Sequence, residues 1–113
     1  MPTNLQIDLE RRTFLFAQRV RDYLRLQNNG SIEYYEYAKQ LIRSNSSVAA
    51  NYIEANEALS KKDFLNRLKI CRKESKESML WLKLMNVTKE QQELILEAHA
   101  FVKIFNAILY KNS

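Results

Sequence analysis

The sequence predicts an all-α protein, with one domain over residues 1–113 that folds as an antiparallel up-down-up-down four-helix bundle. The chain contains one Gly and one Pro, so very little interrupts a helix. Apolar residues recur at intervals of three and four, as on one face of a helix. Capping residues mark short connections, which make consecutive helices antiparallel. A chain of 113 residues is long enough for one core and too short for a second.

The first helix is predicted over residues 8–27, before a turn that contains Gly30. At about 100° per residue, one face of this helix meets the core. The residues on that face are Leu9, Phe16, Val20, Tyr23 and Leu24. Phe14 and Leu15 fall well outside it.

The other three helices are predicted over residues 32–59, 61–85 and 89–111. Ser31 is placed to cap the second helix. Ser60 precedes the third, with Asp63 three residues later as the shorter acid of a capping box. Thr88 and Gln91 form the full motif before the fourth helix.

The first and fourth helices have more apolar surface than one bundle needs. The core face of the fourth helix comprises Leu94, Ala98, Phe101, Phe105 and Ile108. A second stripe of Leu96, Ala100 and Ile104 lies about opposite, and Phe14 and Leu15 lie off the core face of helix one. Scattered exposed apolar residues are normal in a monomer. Second stripes on two helices of one small domain nevertheless favour an oligomer, with these five residues in its interface.

The third helix has the largest net positive charge of the four. Its segment contains eight basic and three acidic residues, an excess equal to the net charge of +5 for the whole chain. Four lysines recur every seven residues, so they return to nearly the same side of the helix over about 31 Å. This basic stripe comprises Lys62, Lys69, Lys76 and Lys83, with Arg72 and Lys73 beside it.

Like charges within the basic stripe repel one another. The pairs Lys69/Lys73 and Arg72/Lys76 are four residues apart, and each such pair costs roughly 0.2–0.5 kcal/mol. A polyanion would relieve this repulsion, which predicts sequence-independent binding of RNA or DNA. The alternative is a solvated lysine face that keeps the protein soluble. The aromatic residues show no pattern of a base-stacking platform.

A polar network between helices is a second candidate site. An antiparallel turn near residue 60 places Arg43 level with Glu77, and the preceding turn brings Arg12 to a similar height. Such a network fixes helix register more than it adds stability. Its expected members are Arg12, Arg43, Glu74 and Glu77, with Asn51 and Glu54 bridging helices or lining a subunit contact nearby.

The sequence predicts no catalytic site, metal site, cofactor or membrane span. Paired-metal bundles use Glu-x-x-His motifs, and His99, the only histidine, has no acid at that spacing. No glycine-rich phosphate loop is present, and no nucleophile has a candidate base and orienting acid. No apolar run approaches the roughly 20 residues of a membrane span. Cys71 lies at an apolar helical position, which favours an inert thiol in a reducing cytoplasm over a reactive one.

Several segments together resemble one protein family. They are the stretches 46–63, 9–13, 40–44 and 73–77, with Phe64, Trp81 and Leu82. Over about residues 8–86 the chain resembles the 23S rRNA intervening-sequence proteins, a family of bacterial four-helix bundles named for reading frames inside sequences that interrupt ribosomal RNA genes. The resemblance implies a homopentamer. A related branch accompanies the reverse transcriptases of diversity-generating retroelements, so a reverse transcriptase is a partner by analogy.

We therefore expect a cytoplasmic, oligomeric, non-catalytic bundle that binds RNA, DNA or a ribonucleoprotein through its third helix. The alternative is a protein-interaction scaffold or accessory subunit with no direct nucleic-acid contact. A steep fall of RNA affinity with salt would support the first. Salt-insensitive co-purification with protein alone would support the second.

Overall fold

Four helices make up the described part of the chain. The computed structural model describes residues 4–112, except for the side chains of Leu5 and Ile7; residues 1–3 and 113 of the predicted domain lie outside that range. The helices are α1 Asn4–Gln27, α2 Ile32–Asn56, α3 Lys61–Lys83 and α4 Lys89–Lys111. No strand occurs between residues 4 and 112. The predicted all-α class is confirmed.

Contacts along the bundle give the helix directions. Arg43 of α2 contacts Glu77 of α3, whereas Asn51, further along α2, contacts Arg67, which lies earlier in α3. The same reversal relates α1 to α2, α3 to α4 and α1 to α4. Each helix packs against two neighbours in a bundle 45 Å long and 22 by 20 Å across. The antiparallel up-down-up-down arrangement is confirmed.

The predicted caps are present at the starts of α2, α3 and α4. The hydroxyl oxygens of Ser31, Ser60 and Thr88 each accept a hydrogen bond from the backbone N–H three residues later. The expected reciprocal role of Gln91 is wrong. Its side-chain Nε2 instead donates to the carbonyl of Leu82, 3.0 Å away, and so occupies an acceptor in the last turn of α3.

Three helix ends differ from their predicted positions. α1 begins at Asn4 rather than residue 8, α2 ends at Asn56 rather than 59, and α3 ends at Lys83 rather than 85. No Gly follows either α2 or α3 to mark its end. The backbone of Ser60 is extended, with φ −141° and ψ 157°, as an N-cap residue requires. Ser60 therefore cannot continue α2, and residues 57–60 connect α2 to α3.

Small polar residues bring α2 and α3 close together. The hydroxyl oxygens of Ser44 and Ser78 lie 2.9 Å apart, and both side chains are buried. The thiol of Cys71 donates to the carbonyl of Val48 at 3.6 Å. These contacts need short side chains. They explain why small residues occur in the middle of a helical bundle, across its most extensive helix pair.

Candidate nucleic-acid interface

The basic stripe lies on the surface of α3. Its exposed members are Lys62, Lys69, Lys73, Lys76 and Lys83. Arg72 is half-buried, and its Nη1 donates to Oδ1 of Asn106 on α4 at 2.9 Å. Within residues 4–112, none of these five lysines forms an ion pair with an acid. The positive charge of the stripe is therefore not neutralised by the described part of the bundle.

The acids of α4 face away from the basic stripe, toward α1. Arg12 Nη2 lies 2.6 Å from Glu97 Oε1. Arg19 Nη2 lies 3.0 Å from Glu90 Oε1 and 3.6 Å from Glu93 Oε2. All three glutamates of α4 thus pair with arginines of α1.

Two acids of α3 face α2. Arg43 Nη1 donates to Glu74 Oε2 at 3.2 Å, and Nη2 donates to Glu77 Oε2 at 3.0 Å, so the predicted contact of Arg43 with these acids is present. Burial, and then the neighbouring charge of Glu77, raise the pKa of Glu74, while Arg43 opposes that rise. Arg43 therefore holds buried Glu74 and half-exposed Glu77 in register with α2.

Arg12 does not belong to this network, and its predicted place there is wrong. It pairs with Glu97, and its guanidinium lies 5.4 Å from the ring centre of Phe101. The turns between consecutive helices relate the height of Arg12 to α2 and α3 alone, whereas α1 also packs against α4. A signal was available, since the seven-residue spacing of Arg12 and Arg19 is repeated by Glu90 and Glu97.

Asn51 and Glu54 have different surroundings. The Oδ1 atom of Asn51 accepts a hydrogen bond from Arg67 of α3 at 3.0 Å, which is the expected bridge between helices. The side chain of Glu54 is exposed and forms no hydrogen bond or ion pair with the rest of the described chain, so its expected bridge within this bundle is wrong. Its alternative place in a subunit contact stays a prediction. One turn separates the two residues, and only Asn51 lies on the α3 side of α2.

The basic stripe borders a groove between α3 and α4, which contains two recesses. One, of about 480 Å³, is lined by Leu65, Lys69, Arg72, Asn106, Leu109 and Tyr110. The other, of about 390 Å³, is lined by Lys76, Met79, Leu80, Lys83, His99 and Val102. We call these twelve residues the α3–α4 groove. Sequence periodicity finds the lysines but not the groove, because its second wall belongs to another helix.

The predicted interface residues differ in exposure. Phe14, Leu15 and Leu96 are exposed, as expected for side chains that could meet another subunit. Ala100 and Ile104 are half-buried, and Ile104 packs against the core of its own bundle. The expectation that Ile104 lies opposite the core is therefore wrong.

Cys71 and His99, the remaining candidates for chemical reactivity, lie in different surroundings. Burial raises the pKa of the Cys71 thiol to about 12. His99 is exposed at the edge of the groove. No three His, Cys, Asp or Glu side chains among the described residues lie close enough to hold a metal ion. None of the helices described is long and apolar enough to cross a membrane.

Comparison with known proteins places this architecture in a family. The family model described as "23S rRNA-intervening sequence protein" matches residues 6–106. The chain belongs to the 23S rRNA-intervening sequence protein family. A similar solved structure is the crystal structure of a protein with unknown function from the S23 ribosomal protein family of Bacteroides thetaiotaomicron, with a TM-score of 0.78 and 26% identity over 89% of this chain and 97% of that one. A search of curated proteins finds no match.

Proposed function

We propose that this protein is a non-catalytic, oligomeric binder of RNA or DNA, free or within a ribonucleoprotein, and that it works in the cytoplasm. The observation that supports this most strongly is the separation of charge. The acids of α4 are paired with arginines of α1, and Glu74 and Glu77 are paired with Arg43. Within the described residues, the lysines of α3 are left exposed and without an acidic partner, on a side that faces neither set.

The physical basis of the proposed binding is counterion release. Each lysine that neutralises a phosphate releases a condensed cation, so affinity falls steeply with salt and depends little on sequence. The four lysines spaced by seven span about 31 Å, which is close to the length of nine base pairs at about 3.4 Å each.

The test is to remove four charges from the stripe. Substituting Lys62, Lys69, Lys76 and Lys83 with Gln should weaken binding of a 12-nucleotide RNA by more than about 100-fold at about 50 mM salt and flatten its salt dependence. The fold should persist, because exposed lysines contribute little to stability.

The matched control also lowers the net charge by four, from +5 to +1. It replaces four exposed residues on other helices with Gln, as in the test variant. They are Arg11, Arg25, Lys39 and Lys89. We expect this control to weaken binding by less than about tenfold. Equal losses in the two quadruple variants would mean that only net charge matters, and no binding by the wild type would refute the nucleic-acid proposal.

The proposal includes a homo-oligomer, with five subunits as the family resemblance implies. Exposed Phe14, Leu15 and Leu96 support a subunit contact, and repeated stripes on one particle would raise affinity by multivalency. Light scattering should give a mass several times that of one chain. Leu15→Ser with Leu96→Ser should lower that mass, whereas exposed Leu26→Ser should not. A single-chain mass for the wild type would refute the oligomer.

The second candidate is a protein-interaction scaffold or accessory subunit, for which a reverse transcriptase is a partner by analogy. The exposed apolar residues of α1 and α4 favour it, because they could bind another protein as well as another copy of this chain. Co-purification of a protein partner that resists both nuclease and high salt would support this candidate over nucleic-acid binding.

The non-catalytic part of the proposal rests on how the reactive groups are used. The Cys71 thiol is buried, and its pKa of about 12 keeps it protonated at neutral pH. Glu74 and Glu77 hold Arg43. These groups are engaged in the fold and are not arranged around a space for a substrate.

A further inference from the structure

The α3–α4 groove combines an apolar floor with charged edges. Leu65 and Leu109 line one recess, and Met79 and Val102 line the other. Exposed Tyr110 and Leu80 add further apolar surface. A ligand that only neutralised the lysines would leave this surface facing water.

The charges around the groove have one sign. Lys69 and Arg72 line the first recess, and Lys76 and Lys83 line the second. No Asp or Glu lines either recess. The ligand of this groove should therefore be anionic along its length and should also present apolar faces.

Arg72 is positioned for a planar ligand. Its Nη1 donates to Asn106 Oδ1 at 2.9 Å, a bond that ties the guanidinium to the wall of the first recess next to Tyr110. Guanidinium planes and aromatic rings are the surfaces on which unpaired bases stack in nucleic-acid-binding proteins. In a duplex, the base faces are stacked against one another and only phosphates, sugars and base edges are available.

We infer that the α3–α4 groove selects single-stranded nucleic acid over duplex, with phosphates on the lysines and unpaired bases in the two recesses. This inference rests on the proposed function and specifies its ligand. From Lys69 to Lys83 the groove extends about 21 Å, so a strand of several nucleotides reaches both recesses. An acidic helical peptide fits less well, because its apolar face would need one continuous floor and this floor is divided.

The experiment compares one 12-nucleotide strand with the duplex formed by that strand and its complement, by fluorescence anisotropy at about 50 mM salt. The wild type should bind the single strand at least about tenfold more tightly. The test variant combines Leu80→Ser with Tyr110→Ala, which removes apolar surface and leaves every charge in place. It should lose at least about fivefold in affinity for the strand, as expected for one lost base contact, and less than about twofold for the duplex.

A matched control variant combines Leu84→Ser with Tyr35→Ala. Leu84 is 47% exposed and Leu80 is 49% exposed, and Tyr35 is an exposed tyrosine on α2, away from the groove. The control should bind the strand as the wild type does. Circular dichroism of both variants establishes that they remain helical.

Four results would overturn the inference, and one of them would also overturn the proposed function. Duplex binding as tight as strand binding, or equal losses in the test and control variants, would refute strand selection while nucleic-acid binding stands. Poly-glutamate binding that is as tight as strand binding and is weakened in the test variant would identify the groove as a peptide site. Failure to bind either nucleic acid would refute both proposals together.

Discussion

Replacing Arg43 with Ala should destabilise the bundle, because Glu74 would stay buried without its cation. Arg43 lies 3.2 Å from Glu74 and 3.0 Å from Glu77, and the Glu74 side chain is only 4% exposed. Removing one partner of a fully buried ion pair costs about 3–5 kcal/mol. Arg43 is itself 56% exposed, so solvent screens part of the attraction. We expect a loss of about 2 kcal/mol in the free energy of unfolding at pH 7.

This loss should become smaller in acid. Burial already raises the pKa of Glu74 above 4.5, and Arg43 opposes the rise, so the folded-state pKa of Glu74 increases further in Arg43→Ala. A raised carboxyl pKa gives stability that is fully present below the unfolded-state value and is lost as pH rises through the folded-state value. The variant should therefore be closer to the wild type at pH 5 than at pH 7.

Urea titrations followed by circular dichroism, at pH 7 and pH 5 and one protein concentration, measure both effects. The control is Arg21→Ala. Arg21 has a similar exposure of 51%, but its one ion pair among the described residues is with adjacent, exposed Asp22, so we expect a change within about 0.5 kcal/mol. A loss below about 0.5 kcal/mol for Arg43→Ala at pH 7, or an equal loss at pH 5, would refute the reasoning.

Three further outcomes are expected in the folded protein. Cys71 should react slowly with iodoacetamide in buffer and rapidly in urea, because burial raises the pKa of its thiol to about 12; rapid reaction in buffer would contradict this. Thr88→Ala should lower the free energy of unfolding by about 1 kcal/mol, since the hydroxyl caps α4, and an unchanged value would show that the cap is unimportant. Phe101→Ala should cost about 3–5 kcal/mol, because the fully buried ring packs edge-on against Phe16; a cost below about 1 kcal/mol would argue against that packing.

Most of the fold could be predicted from the sequence, because its determinants are local. α4 begins and ends where predicted, at Lys89 and Lys111, since Thr88 caps it and its apolar period is regular. The end of α2 at Asn56 was not predictable, because no Gly follows it and the helical pattern continues to residue 59. The role of Gln91 depends on where α3 ends, which periodicity does not specify.

The candidate site was predictable only in part, because it depends on which helices are neighbours. Seven-residue spacing is sufficient to place the exposed lysines on one side of α3. Pairing Arg12 with Glu97 requires knowing that α1 packs against α4. The recess beside Arg72 requires Asn106 and Tyr110, which are more than 30 residues away in sequence. Long-range packing therefore determines what the stripe can bind.

The salt dependence of wild-type affinity for a 12-nucleotide RNA tests the proposed function most directly. If Lys62, Lys69, Lys76 and Lys83 each neutralise one phosphate, the logarithm of the binding constant should fall linearly with the logarithm of salt concentration, with a slope of about −3. Absence of binding at about 50 mM salt, or a slope near zero, would contradict nucleic-acid binding through the basic stripe.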